Sequence, residues 1–249
     1  MAAPTRHGLA RVLSKSGLCS RSEAAKWIAA GRIAVDGRVV RDPEYPIVRG
    51  RQRIAVDGRE IDEAPRLYLM LNKPRGVVTT ASDERGRDTV YRCLDGAGLP
   101  WLAPVGRLDK ASEGLLLFCN DPEWAARVGD PGQGPDKTYH VQVDTIPDAA
   151  QLAELLVGVA DENGVWLRAK SVTLLRAGEK NAWLEIVLDE GRNRQIRRLL
   201  AALDIGVLRL LRVAIGTLTL GELPKGQWRL LTPVECRSLA PVTVSQQRP

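Results

Sequence analysis

Apolar residues near the start of the chain recur at helical spacing and predict two short helices. The first predicted helix has three apolar positions on one face: Leu9, Val12 and Leu13. Gly17 is suited to end it, because glycine adopts the left-handed conformation that closes many helices. The second helix is predicted to begin at Ser20, with Glu23 completing a capping box, and to stop at Gly31.

A short internal repeat follows these helices. Residues 32–40 recur in closely similar form as residues 53–61. Each copy consists of a short strand, an Asp-Gly turn and a second strand, and Asp-Gly between such segments is a strong signal for a β-hairpin. The polar stretch 62–65 ends in proline and is typical of a linker.

Beyond residue 66 the pattern alternates between strands and helices, which favours a mixed α and β domain. Tyr139, Val141 and Val143 alternate with polar residues, so we expect them on one face of a strand. The predicted strands cover 66–71, 114–118, 138–143 and 182–188, with further strands within 207–233. The predicted helices cover 148–157 and 193–203, and we expect the end of the chain, 238–249, to be frayed.

Composition narrows the class of protein. The chain has 249 residues, of which 44% are apolar and 27% charged, as in an ordinary globular protein of one or two domains. No apolar run is long enough for a transmembrane helix, and the first residues lack the apolar core of a secretion signal. The four cysteines form no CxxC pair and there are only two histidines. We therefore expect reduced thiols, a cytoplasmic location and no metal site.

Positive charge is concentrated at the start of the chain. The whole sequence has 36 Lys and Arg against 30 Asp and Glu, and residues 1–60 contain 12 against 6, so this segment accounts for the net charge of +6. Such a segment is suited to an anionic partner such as nucleic acid, but a solvated surface explains the charge equally well.

One aspartate stands in a position suited to catalysis. Asp109 lies in a glycine-bounded loop immediately before a predicted buried strand, where an ionised carboxylate can act as a nucleophile or a base. Taken alone the motif is weak, because aspartates beside glycines more often form turns.

Three further groups carry candidate chemistry. Four arginines at the predicted start of a helix oppose its dipole, so they either pair with a phosphate or carboxylate partner or form a solvated basic face. Tyr139 is either a core residue or a ring that stacks on a nucleic-acid base. Lys73 and Arg75 at a sharp turn either contact phosphates or belong to a solvated loop. The four arginines are Arg192, Arg194, Arg197 and Arg198.

The motifs together resemble those of bacterial ribosomal RNA pseudouridine synthases of the small-subunit uridine-516 enzyme type, a group that also includes large-subunit enzymes. The first part of the chain resembles an S4 RNA-binding domain through residues 17–24 and 31–37. The remainder resembles the catalytic domain through segments 71–76, 104–109, 114–117, 137–139, 190–198, 208–216 and 223–228. No dinucleotide-binding, Walker A or hydrolase-elbow motif accompanies them.

The resemblance implies an α+β fold in two parts, with a small S4-like domain followed by a catalytic domain. The catalytic domain is expected to have a central, largely antiparallel sheet flanked by helices. The implied boundaries are 6–62 for the S4-like domain, 63–66 for a linker, 67–235 for the catalytic domain and 236–249 for a tail.

The resemblance also implies the reaction, in which uridine in ribosomal RNA is isomerised to pseudouridine without cofactor or metal. Asp109 matches the essential carboxylate, which attacks C1′ or helps to remove a proton at C2′. Tyr139 is placed against the flipped target base, and Arg197 in a salt bridge that keeps Asp109 ionised. The expected RNA-binding residues are Arg107, Lys73, Arg75, Arg192, Arg194, Lys15, Arg21, Lys26 and Arg32.

Some alternatives stay open from sequence. We expect a large-subunit RNA target, with the small-subunit RNA as the alternative, and the substrate is either free RNA or an assembling subunit. A non-catalytic RNA-binding assembly factor and a nucleoside hydrolase are the competing functions, although a hydrolase usually needs a second carboxylate or a metal. We expect a monomer with no membrane partner. Ser112 replaces a threonine usual in the family, and the Gly- and Pro-rich stretch 129–135 is a further departure.

Overall fold

In the computed structural model, the described residues are 5–48, 50–61, 64–81 and 83–240. They form two compact units. The first contains the chain up to Leu67 together with 95–103 and 118–122, and the second contains the rest. Within the first unit, the Trp101 amide donates to the Gly17 carbonyl at 2.8 Å. The sequence analysis placed these two added segments in the catalytic domain, and the exact domain boundaries stay a prediction.

The first unit has two helices followed by two hairpins, in the order expected from sequence. Its buried core is apolar and is centred on Leu9, Leu13, Ile28 and Ile33. The elements are β1 (His7–Gly8), α1 (Leu9–Lys15), α2 (Arg21–Ala29), β2 (Ile33–Val35), β3 (Arg38–Val39), β4 (Pro46–Ile47), β5 (Ile54–Val56) and β6 (Arg59–Glu60).

The two repeat copies form the predicted hairpins and pair with each other in a four-stranded sheet of order β3-β2-β5-β6. Each Asp-Gly turn has positive φ at both positions, for example 48° at Asp36 and 78° at Gly37, which is the geometry that favours Asp-Gly in two-residue hairpins. The Asp36 carboxylate also accepts from the Arg53 amide at 2.9 Å, so one turn joins the two copies.

The capping box predicted at α2 is only half formed. The Ser20 hydroxyl accepts from the Glu23 amide at 3.1 Å, as expected. The Glu23 carboxylate does not return to the Ser20 backbone but accepts from Trp27 Nε1 at 2.9 Å. A tryptophan one turn along the helix therefore competes successfully for the carboxylate.

The second unit is built on one large sheet. Its elements before the loop at residue 130 are β7 (Tyr68–Lys73), a 3₁₀ helix (Val90–Leu94), β8 (Ala103–Val105), β9 (Glu113–Cys119) and α3 (Pro122–Gly129). The later elements are β10 (Lys137–Val143), α4 (Ala149–Val157), β11 (Val159–Ala160), β12 (Trp166–Leu167), β13 (Ser171–Ala177), β14 (Ala182–Leu188), α5 (Gln195–Ala201), β15 (Val207–Ile215), β16 (Leu218–Thr219), β17 (Trp228–Leu230) and α6 (Pro233–Leu239).

The sheet runs in the order β13-β14-β10-β15-β9-β7-β17, with β8 and β16 at its margins. The pairs β13–β14, β14–β10, β10–β15 and β7–β17 are antiparallel, whereas β15 and β9 are parallel. Strand β9 is buried along its whole length, because it lies near the middle of the sheet. Strand β10 buries Tyr139, Val141 and Val143 on one face. The mixed fold with a largely antiparallel central sheet is therefore confirmed.

Two local expectations differ from the structure. Helix α5 begins at Gln195, so Arg192 and Arg194 precede the helix and do not form part of it. Helix α6 occupies part of the segment that we expected to be frayed, with a full capping box between Thr232 and Glu235. Residues 241–249 of that tail, and residues 62 and 63 near the linker, lie outside the described part of the chain.

Candidate active site

Asp109 lies on a loop between β8 and β9 that is fixed by its backbone. The amide of Gly76 donates to the Lys110 carbonyl at 2.8 Å, and the amide of Ser112 donates to the Asp109 carbonyl at 3.0 Å. Leu108 is buried beside the loop, and its carbonyl accepts from the Thr79 hydroxyl at 2.7 Å. The loop therefore holds the Asp109 side chain, which is partly exposed, in a defined position.

The sequence analysis expected Lys73 to bind RNA, but the structure places its side chain inside the protein, where it supports this loop. The side chain is fully buried. Its ammonium group donates to the backbone carbonyls of Pro74 and Asp109 at 3.1 Å and of Ser112 at 2.7 Å. Burial lowers the pKa of Lys73 to about 8, an effect that the Asp109 charge opposes. A lysine with all three donors bonded inside the protein cannot reach a phosphate.

A cavity of about 540 Å³ opens beside the loop. Its wall contains Asp109 and Tyr139, and Tyr139 is 9% exposed. The Tyr139 hydroxyl has no hydrogen-bond partner among the residues that the structure describes. This favours a ring that faces a ligand over a core tyrosine with a satisfied hydroxyl.

Positive charge surrounds the cavity. Besides Asp109, the charged side chains that line it include Arg107, Lys137, Arg194, Arg197 and Arg212. Burial, and after it the charge of Arg194, lowers the pKa of the Arg197 guanidinium, and Arg75 adds to the effect while Asp109 opposes it. Since these cations destabilise one another, a bound anion would relieve the repulsion.

The expected salt bridge between Arg197 and Asp109 is absent. In the described part of the chain these two side chains form no ion pair, and the Arg197 guanidinium donates instead to the Ala111 carbonyl at 3.5 Å. Arg197 nevertheless lies close enough for the Asp109 charge to affect its pKa. Arg197 is directed to the backbone of the loop, two residues beyond Asp109, and not to the Asp109 carboxylate.

The arginines around α5 have separate partners. Arg192 pairs with Glu190 at 2.9 Å and also donates to a backbone carbonyl. Arg198 pairs with the buried carboxylate of Asp161 at 2.5 Å, which gives it a structural role. Arg194 is exposed, has a positive φ of 49° and forms no ion pair with any described residue. Of the residues expected to contact RNA here, Arg194 is therefore the most available and Arg192 is already engaged.

Three of the four residues of the first unit that were expected to bind RNA form ion pairs. Arg21 contacts Glu44 at 2.9 Å, and Lys26 contacts Glu23 at 3.4 Å. Arg32 makes a bidentate pair with Asp57 and lies 4.8 Å from the centre of the Trp27 ring. Lys15 lies in the last turn of α1 and is half-buried. All of these pairs are solvent-exposed, where an ion pair is weak enough to be exchanged for a phosphate.

Sequence reasoning missed three contributions to the site. Gln195 is buried and donates to Glu190 at 2.8 Å, which fixes the turn before α5. Arg212 is a buried cation within a mostly apolar strand, in which Arg209 is the other charged residue. Gly114 has a φ of 102° where β9 passes the backbone of Arg212. Two of these residues had a signal in the sequence. Arg212 stands within an apolar run, and Gly114 stands at the start of a different apolar run.

The Gly- and Pro-rich loop 129–135, a departure from the family pattern, borders the cavity. Gly129 and Pro131 line it. Asp130 closes the turn by accepting from the amides of Gly132 at 2.8 Å and Gln133 at 2.9 Å, which lowers its pKa. The loop is thus internally ordered and shapes one side of the cavity.

No group of metal-ligating side chains is found in the part of the chain that the structure describes. Among the same residues, no helix is both long and apolar enough to cross a membrane. Two carboxylates line the cavity, and Glu190 is engaged by Arg192 and Gln195. The arrangement therefore leaves Asp109 for nucleophilic or base catalysis, beside an aromatic ring and a set of cations.

Both parts of the chain match known protein families. The RNA pseudouridylate synthase family matches residues 67–202, and the S4 domain family matches residues 8–52. A solved structure described as pseudouridylate synthase aligns with a TM-score of 0.65 and 28% identity over 94% of this chain and 99% of that one.

Curated relatives are similar along most of this chain. A ribosomal large subunit pseudouridine synthase B from Bacillus subtilis is 35% identical over 93% of this chain and 94% of its own. The protein of the same name from Haemophilus influenzae is 38% identical over 88% of this chain and 63% of its own. An RNA pseudouridine synthase from Rickettsia conorii is 35% identical over 90% of this chain and 95% of its own.

Proposed function

We propose that this chain, which belongs to the RNA pseudouridylate synthase family, converts uridine to pseudouridine in ribosomal RNA with Asp109 as its catalytic carboxylate. The observation that carries the proposal is the placement of Asp109 on a rigid loop, in a cavity that also presents Tyr139 and several cations. The carboxylate is accessible and unpaired with any cation among the described residues, so it is available to react.

The chemistry requires the N1–C1′ bond to break, the uracil to turn and a C5–C1′ bond to form. Asp109 either attacks C1′, which forms a covalent sugar ester, or takes the proton from C2′, which forms a double bond in the sugar. Either route needs the target nucleotide to leave its stack and enter the cavity.

The other side chains have supporting roles. Tyr139 packs against the flipped uracil. Arg197 places positive charge near Asp109 without forming a closed salt bridge with it. Arg107, Arg194 and Arg75 contact the phosphates that flank the target, since all three are exposed and the first two line the cavity.

The proposed substrate is the large-subunit ribosomal RNA. Two relatives similar over most of this chain are named large subunit pseudouridine synthase B, which supports that target over the small-subunit uridine 516. We place the enzyme in the cytoplasm, acting as a monomer without a cofactor on free RNA or on an assembling subunit.

The first unit, with proposed domain limits 6–62, is assigned to RNA binding. Its four candidate phosphate contacts are Lys15, Arg21, Lys26 and Arg32, of which the last three exchange their present ion-pair partners for phosphates. The catalytic domain is assigned to 67–235.

Mapping pseudouridine in ribosomal RNA from cells with and without the gene tests the proposal. We expect one large-subunit site to disappear on deletion and to return with the wild-type gene, but not with Asp109→Asn. Arg192→Gln serves as the matched control, because Arg192 borders the same cavity but is already paired. Unchanged RNA in the deletion strain would contradict the proposed substrate.

A further inference from the structure

Arg212 is a buried cation in the cavity wall with unused hydrogen-bonding capacity. The residue is 5% exposed and its Nε donates to the Leu115 carbonyl at 2.7 Å. Its Nη2 is buried and has no hydrogen-bond partner among the described residues. The Arg212 side chain also forms no ion pair with any described residue. Burying an uncompensated guanidinium is costly, so a chain that keeps one beside its active site is expected to use it.

The backbone holds Arg212 at a fixed place. Gly114 is its register partner in the parallel pair of β9 and β15. A Cβ at Gly114 would lie 2.3 Å from the Arg212 carbonyl oxygen, so only glycine allows the two strands to approach this closely. The guanidinium is thus positioned before any substrate arrives, which is the condition for strong electrostatic stabilisation.

The surroundings of Arg212 add positive charge. Lys73 and Lys137 each have a pKa lowered first by burial, and the Arg212 charge contributes to both shifts. Lys137 lines the same cavity. Negative charge that appears close to Arg212 during a reaction would therefore be favoured by more than one cation.

Tyr139 lies directly opposite Arg212 in the antiparallel pair of β10 and β15. Directly opposed residues have their Cβ atoms about 5 Å apart, and both side chains line the cavity. A uracil packed against the Tyr139 ring therefore has its edge within reach of the Arg212 guanidinium.

We propose that Arg212 stabilises the departing uracil as an anion, by donating an Nη2 hydrogen bond to one of its carbonyl oxygens. The inference rests on the proposed function and adds a catalytic residue to it. When the N1–C1′ bond breaks, its electron pair goes to N1 and is shared with O2 and O4. This holds whether Asp109 forms a bond to C1′ or removes the C2′ proton, so the uracil is a monoanion in both routes.

The remaining steps restore neutrality without any co-reactant. C5 forms its bond to C1′ while the Asp109 ester bond breaks, or while the proton returns to C2′. The C5 proton then leaves and N1 gains a proton, so the product is an isomer of the substrate. Arg212 acts on charge that exists only after bond cleavage has begun, so it lowers the barrier more than it tightens binding.

Single-turnover kinetics on two RNA substrates tests this role. The full-length wild type, Arg212→Gln and a control are compared on a ribosomal RNA transcript containing uridine and on the same transcript containing 5-fluorouridine. Glycosidic cleavage is followed by nuclease digestion and mass spectrometry. The control is Arg209→Gln, because Arg209 is on the same strand and pairs with Glu113 at 2.8 Å but does not line the cavity.

We expect Arg212→Gln to slow cleavage of the uridine substrate by roughly 10²–10³-fold, the usual effect of removing one such donor. The loss on 5-fluorouridine should be clearly smaller, because fluorine itself stabilises the uracil anion and lessens the need for the guanidinium. Arg209→Gln should affect both substrates by the same factor, and RNA affinity should be unchanged in both variants.

Equal losses of Arg212→Gln on the two substrates, or no loss, would overturn the inference while leaving the proposed function intact. Wild-type protein that forms no pseudouridine in ribosomal RNA would instead overturn the proposed function, and this inference with it. Thermal melting establishes that the variants fold. If Arg212→Gln does not fold, Arg212→Lys replaces it, because it keeps a buried cation but loses the Nη2 donor. The expected result is the same: a larger loss on uridine than on 5-fluorouridine.

Discussion

Replacing Lys73 with methionine tests whether the buried ammonium group holds the loop that carries Asp109. Methionine has a similar length and fills the same apolar space, but it cannot donate to the three carbonyls that surround Lys73 Nζ. The variant therefore removes the hydrogen bonds and the charge while leaving the packing largely unchanged.

The expected loss of stability follows from these contacts. A hydrogen bond to a charged group contributes about 1.5–3 kcal/mol, and losses within one network do not add fully, so we expect Lys73→Met to lower the free energy of unfolding by about 2–4 kcal/mol. Loop displacement should also slow catalysis, because Asp109 and Ser112 supply two of the three acceptors.

The loss should depend on pH. The pKa of Lys73 is about 8 in the folded protein, below its ordinary value, so between these two values the unfolded chain binds more protons than the folded one. Lys73 therefore increases the free energy of unfolding of the wild type as pH rises above 8, by at most about 1.4 kcal/mol per pH unit. The Lys73→Met variant lacks this gain, so its deficit relative to wild type should be larger at pH 9 than at pH 7.

Urea unfolding followed by circular dichroism at pH 7 and pH 9 measures both effects, with Arg75→Gln as an exposed neighbouring control. The reasoning would be refuted if Lys73→Met were as stable as wild type and instead reduced the salt dependence of RNA binding. That result would restore Lys73 to the role of an RNA contact.

Three other predictions concern single contacts. Arg194→Gln should weaken RNA binding and reduce the slope of log affinity against log salt concentration by about one, as measured by fluorescence anisotropy over a salt series. Arg192→Gln should change neither the affinity nor this slope. Ser20→Ala removes the cap of α2 and should cost about 1 kcal/mol in urea unfolding, with a larger or absent effect counting against the capping geometry. Gly114→Ala should lower the melting temperature and abolish activity together, since a Cβ there would meet the Arg212 backbone; normal activity would contradict the close approach.

The elements with strong local signals were predictable from sequence. The Asp-Gly hairpins, the apolar strand β9 and the alternating strand β10 all occur where the pattern indicates. Strand β13 was not predicted, because it is largely exposed and lacks the alternation of a half-buried strand. Helix α5 begins later than its arginines suggested, because the turn before it is closed by Gln195.

Placement of charged side chains was harder to predict. The basic motif around Lys73 does not distinguish a lysine directed to solvent from one enclosed by carbonyls of a distant loop. Arg197 was associated with Asp109 through a family resemblance, and only the three-dimensional structure directs it to the Ala111 carbonyl. Such contacts depend on residues far apart in the chain, so local pattern carries no information about them.

The central claim, that Asp109 is the catalytic carboxylate of an RNA pseudouridine synthase, is tested most directly by comparing wild type with Asp109→Asn on a ribosomal RNA transcript labelled with tritium at uridine C5. Wild type should release tritium and form pseudouridine at one site, whereas Asp109→Asn should bind the transcript with unchanged affinity and release none. Sustained tritium release by Asp109→Asn would contradict the account.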